Sequence, residues 1–194
     1  KGLTAFLDMA YQGFGQGLAE DGAVIGKFAA AGLSFFVSTS FSKSFSLYGE
    51  RVGALSVVCE SKDEAARVLS QLKLTIRTNY SNPFMHGAAV VSAVLNTPEW
   101  RALWEKELGE MRTRIKAMRW VLADGLKAAG VTQDMSFIVN QVGMFSYSGL
   151  SKEQMQRLRS EFGVYGTDSG RLCVAALNSR NIDHVCQAIA AVMK

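Results

Sequence analysis
The chain has 194 residues, 48% hydrophobic and 20% charged, a balance that fits an ordinary globular protein and excludes disorder. The formal net charge of +4 is spread among interleaved acids and bases, as in Glu105-Lys106-Glu107, so no nucleic-acid partner is expected and the positive charge is left to serve small anions. Three cysteines, Cys59, Cys173 and Cys186, lie far apart with no CxxC pair, which excludes a zinc or disulfide framework and points to a reducing, cytoplasmic setting; no apolar run is long enough to span a membrane.

Ala5-Phe6-Leu7 reads as a buried strand that ends at Asp8 and opens into a loop rich in glycine (Gly13, Gly15, Gly17). Continuous apolar runs of this kind suit a sheet covered on both faces. Residues 21–31 have helical spacing, 33–39 and 52–59 read as a second and a third strand, and 64–78 read as a helix with Val68, Leu72 and Ile76 on one face. Residues 86–96 form another helix. Pro98 suits the first turn of a long helix with Thr97 as its cap. Apolar residues at 100, 103, 104, 108, 111, 115, 118, 122 and 126 keep that helix's spacing up to Gly130. A helix of this length often joins two domains, and the boundary is placed inside it, giving domains 1–112 and 113–194. Beyond it, 137–139 and 143–148 read as strands and 151–163 as a helix. Residues 164–166 and 171–175 read as short strands, and 181–193 as a closing helix. The alternation makes the chain α/β. An apolar run that begins almost at position 1 suggests a chain cut from something longer.

The residue types that carry chemistry sit where strands end. Lys43 follows the second strand in Ser40-Phe41-Ser42-Lys43, and a lysine among hydroxyls and aromatics is a candidate amine nucleophile once it is partly desolvated. Ser40 and Arg51 are of the types that hold a phosphate, by a hydroxyl and a bidentate fork. Asp8 closes the first strand, where ligands of open α/β sheets bind, and Tyr11 follows three residues later. Arg171 stands at the edge of an apolar run as a candidate carboxylate anchor, Arg77 invites the same reading at the end of its helix, and Phe145 lies in Gly143-Met144-Phe145-Ser146. His86 and His184 have no partner at metal-ligand spacing, so no metal is expected.

Taken together, these segments resemble the class I aspartate and aromatic-amino-acid aminotransferases. The resemblance rests on Asp8-Met9-Ala10-Tyr11-Gln12-Gly13-Phe14, on Ser40-Phe41-Ser42-Lys43 with Leu47-Tyr48-Gly49-Glu50-Arg51-Val52-Gly53, on Ile76-Arg77 with Asn79-Tyr80-Ser81-Asn82-Pro83, on Gly143-Met144-Phe145-Ser146 and on Ser169-Gly170-Arg171. It implies the fold-type I transferase architecture, with the C-terminal part of a large mixed-sheet domain followed by a small α/β domain, and it implies pyridoxal 5'-phosphate as cofactor. By the same resemblance Lys43 forms the Schiff base and shuttles the proton, Asp8 pairs with the ring nitrogen, and Tyr11 hydrogen-bonds the ring oxygen. Ser40 and Arg51 bind the phosphate. Arg171 clamps the α-carboxylate beside Phe145, and Arg77 reaches the partner subunit's site in a homodimer with shared active sites. Phe41 to Arg51, Leu55 to Glu60, Met144 to Tyr147 and Val174 to Asn178 resemble the aromatic-amino-acid branch most. The implied substrates are aromatic and dicarboxylic amino acids with their 2-oxo acids, 2-oxoglutarate among them. The rivals are an aspartate-specific enzyme and a catalytically incomplete piece that serves only structure or dimerisation, since family members are about twice this length. Two departures stand out: Phe84 replaces a common second proline, and Asp168 adds a negative charge near Arg171.

Overall fold
The computed structural model describes residues 2–194. Strands β1 (Ala5–Met9) and β2 (Phe35–Ser40) pair in parallel, from Ala5 opposite Phe35 to Met9 opposite Thr39. A parallel pair needs a crossover, and helix α1 (Leu18–Ala30) supplies it. Strand β3 (Gly53–Val58) returns antiparallel on the other side of β2, with Ser40 opposite Gly53 and Phe35 opposite Val58, so the sheet is mixed.

Alternation along the strands sends Ala5, Leu7, Met9, Phe35, Val37 and Val58 to one face, where Val24, Ile25 and Phe28 of α1 cover them. Phe28 meets Phe35 edge-on at 5.5 Å. The opposite face carries Phe6 stacked on Phe36 at 5.9 Å, together with Asp8, Ser38 and Leu55. Here the structure differs from the sequence reading. The apolar runs are continuous, yet Phe6 stays 60% and Leu55 48% exposed, while Phe36 shares a pocket with Val68, Leu72 and Thr75, so among the described residues this second face is only partly covered.

Helix α2 (Lys62–Asn79) starts at Ser61, whose Oγ accepts the Glu64 N–H at 3.1 Å. Helix α3 (Met85–Asn96) is followed at once by α4 (Pro98–Ala128), and the Thr97 carbonyl accepts the Arg101 N–H at 2.9 Å to begin the new helix. Of the long apolar stripe on α4, Leu108, Ile115, Leu122 and Leu126 are buried, while Trp100, Leu103 and Met111 are exposed. The chain divides into two compact units, Lys1–Leu108 and Gly109–Lys194; the division falls within α4.

The second unit packs the rest of α4 with β4 (Phe145–Tyr147), α5 (Lys152–Phe162), β5 (Arg171–Cys173) and α6 (Ile182–Met193). Strands β4 and β5 are antiparallel, Phe145 opposite Cys173 and Tyr147 opposite Arg171. A capping box of Ser151 and Gln154 opens α5, and Gly163 at φ +65° closes it. Two expected strands do not form. Residues 136–138 make a 3-10 turn, because Asp134 Oδ1 accepts the Ser136 N–H at 2.8 Å and the Ile138 N–H reaches Met135 O at 3.1 Å. Residues 164–166 join no ladder, since the Val164 N–H turns back to Leu158 O at 3.0 Å to finish the end of α5. The strand expected over 171–175 stops at Cys173 and passes into a second 3-10 turn, Val174–Ala176. Among the described residues no helix is long and apolar enough to cross a membrane.

Helices α4 and α6 approach each other at Gly125, where a Cβ would come 2.6 Å from Cys186 Sγ. Burial there, aided by the Asp183 carboxylate, pushes the Cys186 thiol up to about 11. Because the thiolate is the reacting form, iodoacetamide at pH 8 is expected to label Cys59 and Cys173 while leaving Cys186 unmodified in the folded chain. Peptide mass mapping before and after addition of urea checks this, with Cys186 becoming reactive only on unfolding.

Candidate active site
The pairing of the strands decides which residues share an edge. The carboxy ends of β1 and β2 lie side by side, and the antiparallel β3 begins at that same edge. Asp8 and Ser40 stand at the two carboxy ends, and Arg51 lies two residues before β3. The loops that leave this edge bring Lys43 Nζ to 4.6 Å from the centre of the Tyr11 ring, a cation–π distance. Lys43 is half-buried, whereas Tyr11 and Asp8 are exposed. Ser40 Oγ accepts the Ser42 N–H at 3.3 Å. Arg51 Nη1 donates to Tyr48 O at 2.7 Å. One edge of the first unit thus carries an amine, a phenol, a carboxylate, a hydroxyl and a guanidinium.

Backbone strain falls on the same segments. Among the described residues, the non-glycine residues with positive φ are Ser46 (55°), Arg51 (53°) and Ser81 (71°). Each such conformation costs on the order of 1–2 kcal/mol and persists only where surrounding contacts impose it. Ser46 and Arg51 bound the turn after Lys43. Ser81 Oγ accepts from Arg77 Nη1 at 2.5 Å. At Gly87 the backbone of α3 comes so close to Val52, the neighbour of Arg51, that a Cβ there would overlap the Val52 side chain.

The loop that carries Tyr11 is fastened by one carboxylate. Asp21 Oδ2 accepts the N–H groups of Gly13 and Gly15 at 2.8 and 2.9 Å, and Oδ1 accepts that of Gln16 at 2.9 Å. Partial burial opposes the charge, but the backbone bonds from Gln16, Gly15 and Gly13 prevail and hold the carboxyl below its ordinary 3.8.

In the second unit the Arg171 guanidinium lies 4.8 Å from the centre of the Phe145 ring. The negative charge expected beside Arg171 is taken up elsewhere, because Asp168 Oδ1 accepts from Arg159 Nη2 at 2.8 Å and Oδ2 from Gln156 at 3.3 Å. Those bonds, Arg159 first, hold Asp168 below the usual carboxylate range. Arg77 is exposed near the end of α2, and its hydrogen bond is the one to Ser81. His184 rests against Phe162 O at 2.8 Å.

The family model for aminotransferase class I and II matches residues 1–189. The chain belongs to this family. The aspartate aminotransferase of Pseudomonas aeruginosa is 63% identical over 193 residues, which cover 100% of the chain and 48% of that protein. The aromatic-amino-acid aminotransferase of Escherichia coli is 56% identical over 191 residues, 98% of the chain and 48% of that protein. The crystal structure of the Burkholderia pseudomallei aromatic-amino-acid aminotransferase, covalently bound to pyridoxal phosphate, is 66% identical. It superposes with a TM-score of 0.94 over 97% of the chain and 47% of that structure's chain. The chain therefore spans about half the length of the curated relatives it matches, and its fold is the aminotransferase fold expected from the resemblance.

Within this chain, three residues that hold the candidate site segments, two in the first unit and one in the second, carry no motif in the sequence. Asp21 looked like an ordinary charge in a helix, and Trp104 was counted only as part of an apolar stripe. Arg119 is 2% exposed and sits four residues after Ile115 and three before Leu122, on the buried side of α4; an arginine in phase with a core stripe was the signal. Its Nη2 donates to Gly143 O at 2.8 Å and Phe145 O at 2.6 Å, while Nε and Nη1 find no partner among the described residues. Burial alone pulls its pKa down, and it still anchors the strand that bears Phe145.

Asp21→Asn is expected to lower stability by about 2 kcal/mol at neutral pH, because an amide accepts the three loop N–H groups less strongly than a carboxylate. A depressed folded-state pKa means that the parent's advantage is full above 3.8 and is lost as pH falls through the lower folded value; urea midpoints at pH 7 and pH 3 should therefore separate and then converge. Arg119→Ala leaves two carbonyls and a cavity, and should cost about 3 kcal/mol in the same urea measurement.

Proposed function
We propose that the chain serves as an aromatic-amino-acid transaminase, moving amino groups between aromatic or dicarboxylic amino acids and 2-oxoglutarate with pyridoxal 5'-phosphate as cofactor. The observation that carries this reading is the Lys43 amine held over Tyr11 at the edge that also bears Asp8, Ser40 and Arg51. The donor set fits the cofactor group by group: a carboxylate for a pyridine nitrogen, a phenol for a ring oxygen, an amine for a carbonyl, and a hydroxyl with a guanidinium for a phosphate. Bound there, pyridoxal phosphate supplies a protonated ring that draws electrons from the substrate Cα–H bond.

The chain's own residues then have separable tasks. Lys43 is the point of attachment and afterwards the base, its Nζ taking the proton from the substrate Cα and later returning it. Its half-burial limits the water around the amine, and the Tyr11 ring fixes its position. Asp8 holds the ring nitrogen protonated. Ser40 and Arg51 bind the phosphate. Arg171 presents a planar fork to the substrate α-carboxylate, with Phe145 against the guanidinium face to set its plane. Arg77, at the end of α2, receives the side-chain carboxylate of a dicarboxylic substrate in the partner subunit's site of a homodimer. A reducing cytoplasm suits the three free thiols.

The Pseudomonas relative, named for aspartate at 63% identity, favours a second reading in which aspartate is the main substrate. Rates on phenylalanine and aspartate with 2-oxoglutarate separate the two readings.

Addition of pyridoxal phosphate followed by borohydride should place a stable label on Lys43, found by peptide mapping. A label anywhere else overturns the assignment. Lys43→Ala should lose the label and lower the transamination rate at least about a hundredfold.

A further inference from the structure
The turn that carries Lys43 is held from outside by one side chain. The indole N–H of Trp104, on α4, donates to Ser44 O at 2.7 Å. Its ring stacks on Phe45 at 4.5 Å with the planes 24° apart, and Phe45 in turn meets Phe41 edge-on at 5.4 Å. Both residues after Lys43 are therefore tied to a helix about sixty positions further along the chain.

The turn's own hydrogen bonds are few. The Phe45 N–H reaches Phe41 O at 3.3 Å, the Ser46 N–H reaches Lys43 O at 3.2 Å, and the Phe41 N–H reaches Val52 O at 3.1 Å. Against them stands Ser46 at φ +55°, a conformation that a serine adopts at a cost. The strain at Ser46 offsets part of what these bonds contribute. The Trp104 contact opposes opening of the turn in two ways, by the stacked ring area and by a directional bond from an indole nitrogen that needs an acceptor once it is half-buried.

We propose that Trp104 is a positioning residue for Lys43: the indole N–H and ring lock the 44–45 turn and so keep the Lys43 amine over Tyr11. Its meaning for catalysis rests on the reading of Lys43 as the proton-carrying amine, but the mechanical link does not.

Two variants separate the contributions. Trp104→Phe keeps a ring against Phe45 and removes the N–H; Trp104→Leu removes both. Competitive labelling of the whole chain with trace acetic anhydride over a range of pH, read lysine by lysine by mass spectrometry, reports the reactivity profile of Lys43 without any cofactor. The exposed Lys27 and Lys62 serve as internal references. In Trp104→Phe, Lys43 should acylate about two- to tenfold faster than in the parent, relative to Lys27 and Lys62, the factor expected from one lost hydrogen bond. The change should be larger in Trp104→Leu, and Lys27 and Lys62 should not move. A Lys43 profile in Trp104→Phe that superimposes on the parent's overturns the proposal; this variant decides even if Trp104→Leu fails to fold. Borohydride trapping of pyridoxal phosphate on the parent, run alongside, tests the functional reading separately. Its failure would remove the catalytic meaning of Lys43 and leave the acylation result standing for Trp104.

Discussion
The register of β1 against β2 is the constraint on which the rest of the first unit depends. Met9, Phe35 and Val37 are buried under α1, and burial of side chains of this size contributes about 1.5–3 kcal/mol each. A slip of one residue would exchange the faces of the strand, sending Asp8 under α1 and Leu7 and Met9 outward. The apolar alternation that fixes the register therefore also fixes the direction of a carboxylate it does not touch. The parallel sense of the pair adds the second half of the outcome, because it brings the end of β1 beside the end of β2 and makes one edge the departure point for both the Tyr11 loop and the Lys43 loop.

Those loops are held by polar anchors as well as by packing, such as the buried Phe14 and the Phe45–Trp104 stack. Three backbone N–H groups converge on Asp21, one carbonyl is held by Trp104, and in the second unit two carbonyls are held by Arg119. In each case a side chain from a helix reaches the main chain of a loop or short strand. The arrangement tolerates strained positions such as Ser46 and Arg51, because net contributions of roughly 1 kcal/mol per bond, and more where a charge takes part, are of the same order as the strain they oppose.

Most elements were legible in the sequence because their periodicity reports burial directly: among the described residues the helices α1 to α6 and the strands at 5–9, 35–40 and 53–58 lie close to their expected positions. The segments misread as strands, 137–139 and 164–166, are apolar because they plug a core or follow a helix end. An Asx turn at Asp134 and the closing bond of α5 set their backbone instead, and neither depends on hydrophobicity. The expectation of a sheet covered on both faces is met only in part among the described residues, for a related reason. Residue type at Phe6 and Leu55 records that these side chains are apolar, not what lies over them. At the site, residue types at strand ends were readable, whereas Asp21, Trp104 and Arg119 act through backbone groups distant in sequence that leave no motif.

Arg51 occupies a left-handed backbone position that a glycine would fill without steric strain. Selection for thermal robustness alone would tend to replace it, since the substitution relieves strain and removes an exposed side chain whose hydrogen bond among the described residues goes to Tyr48 O. Under the proposed phosphate role, position 51 is a point where fitness for folding and fitness for ligand capture pull in opposite directions, and a scan that scores the two separately would see them diverge there. For anyone stabilising this scaffold, one of the three substitutions attractive on backbone grounds also discards a candidate phosphate-binding group.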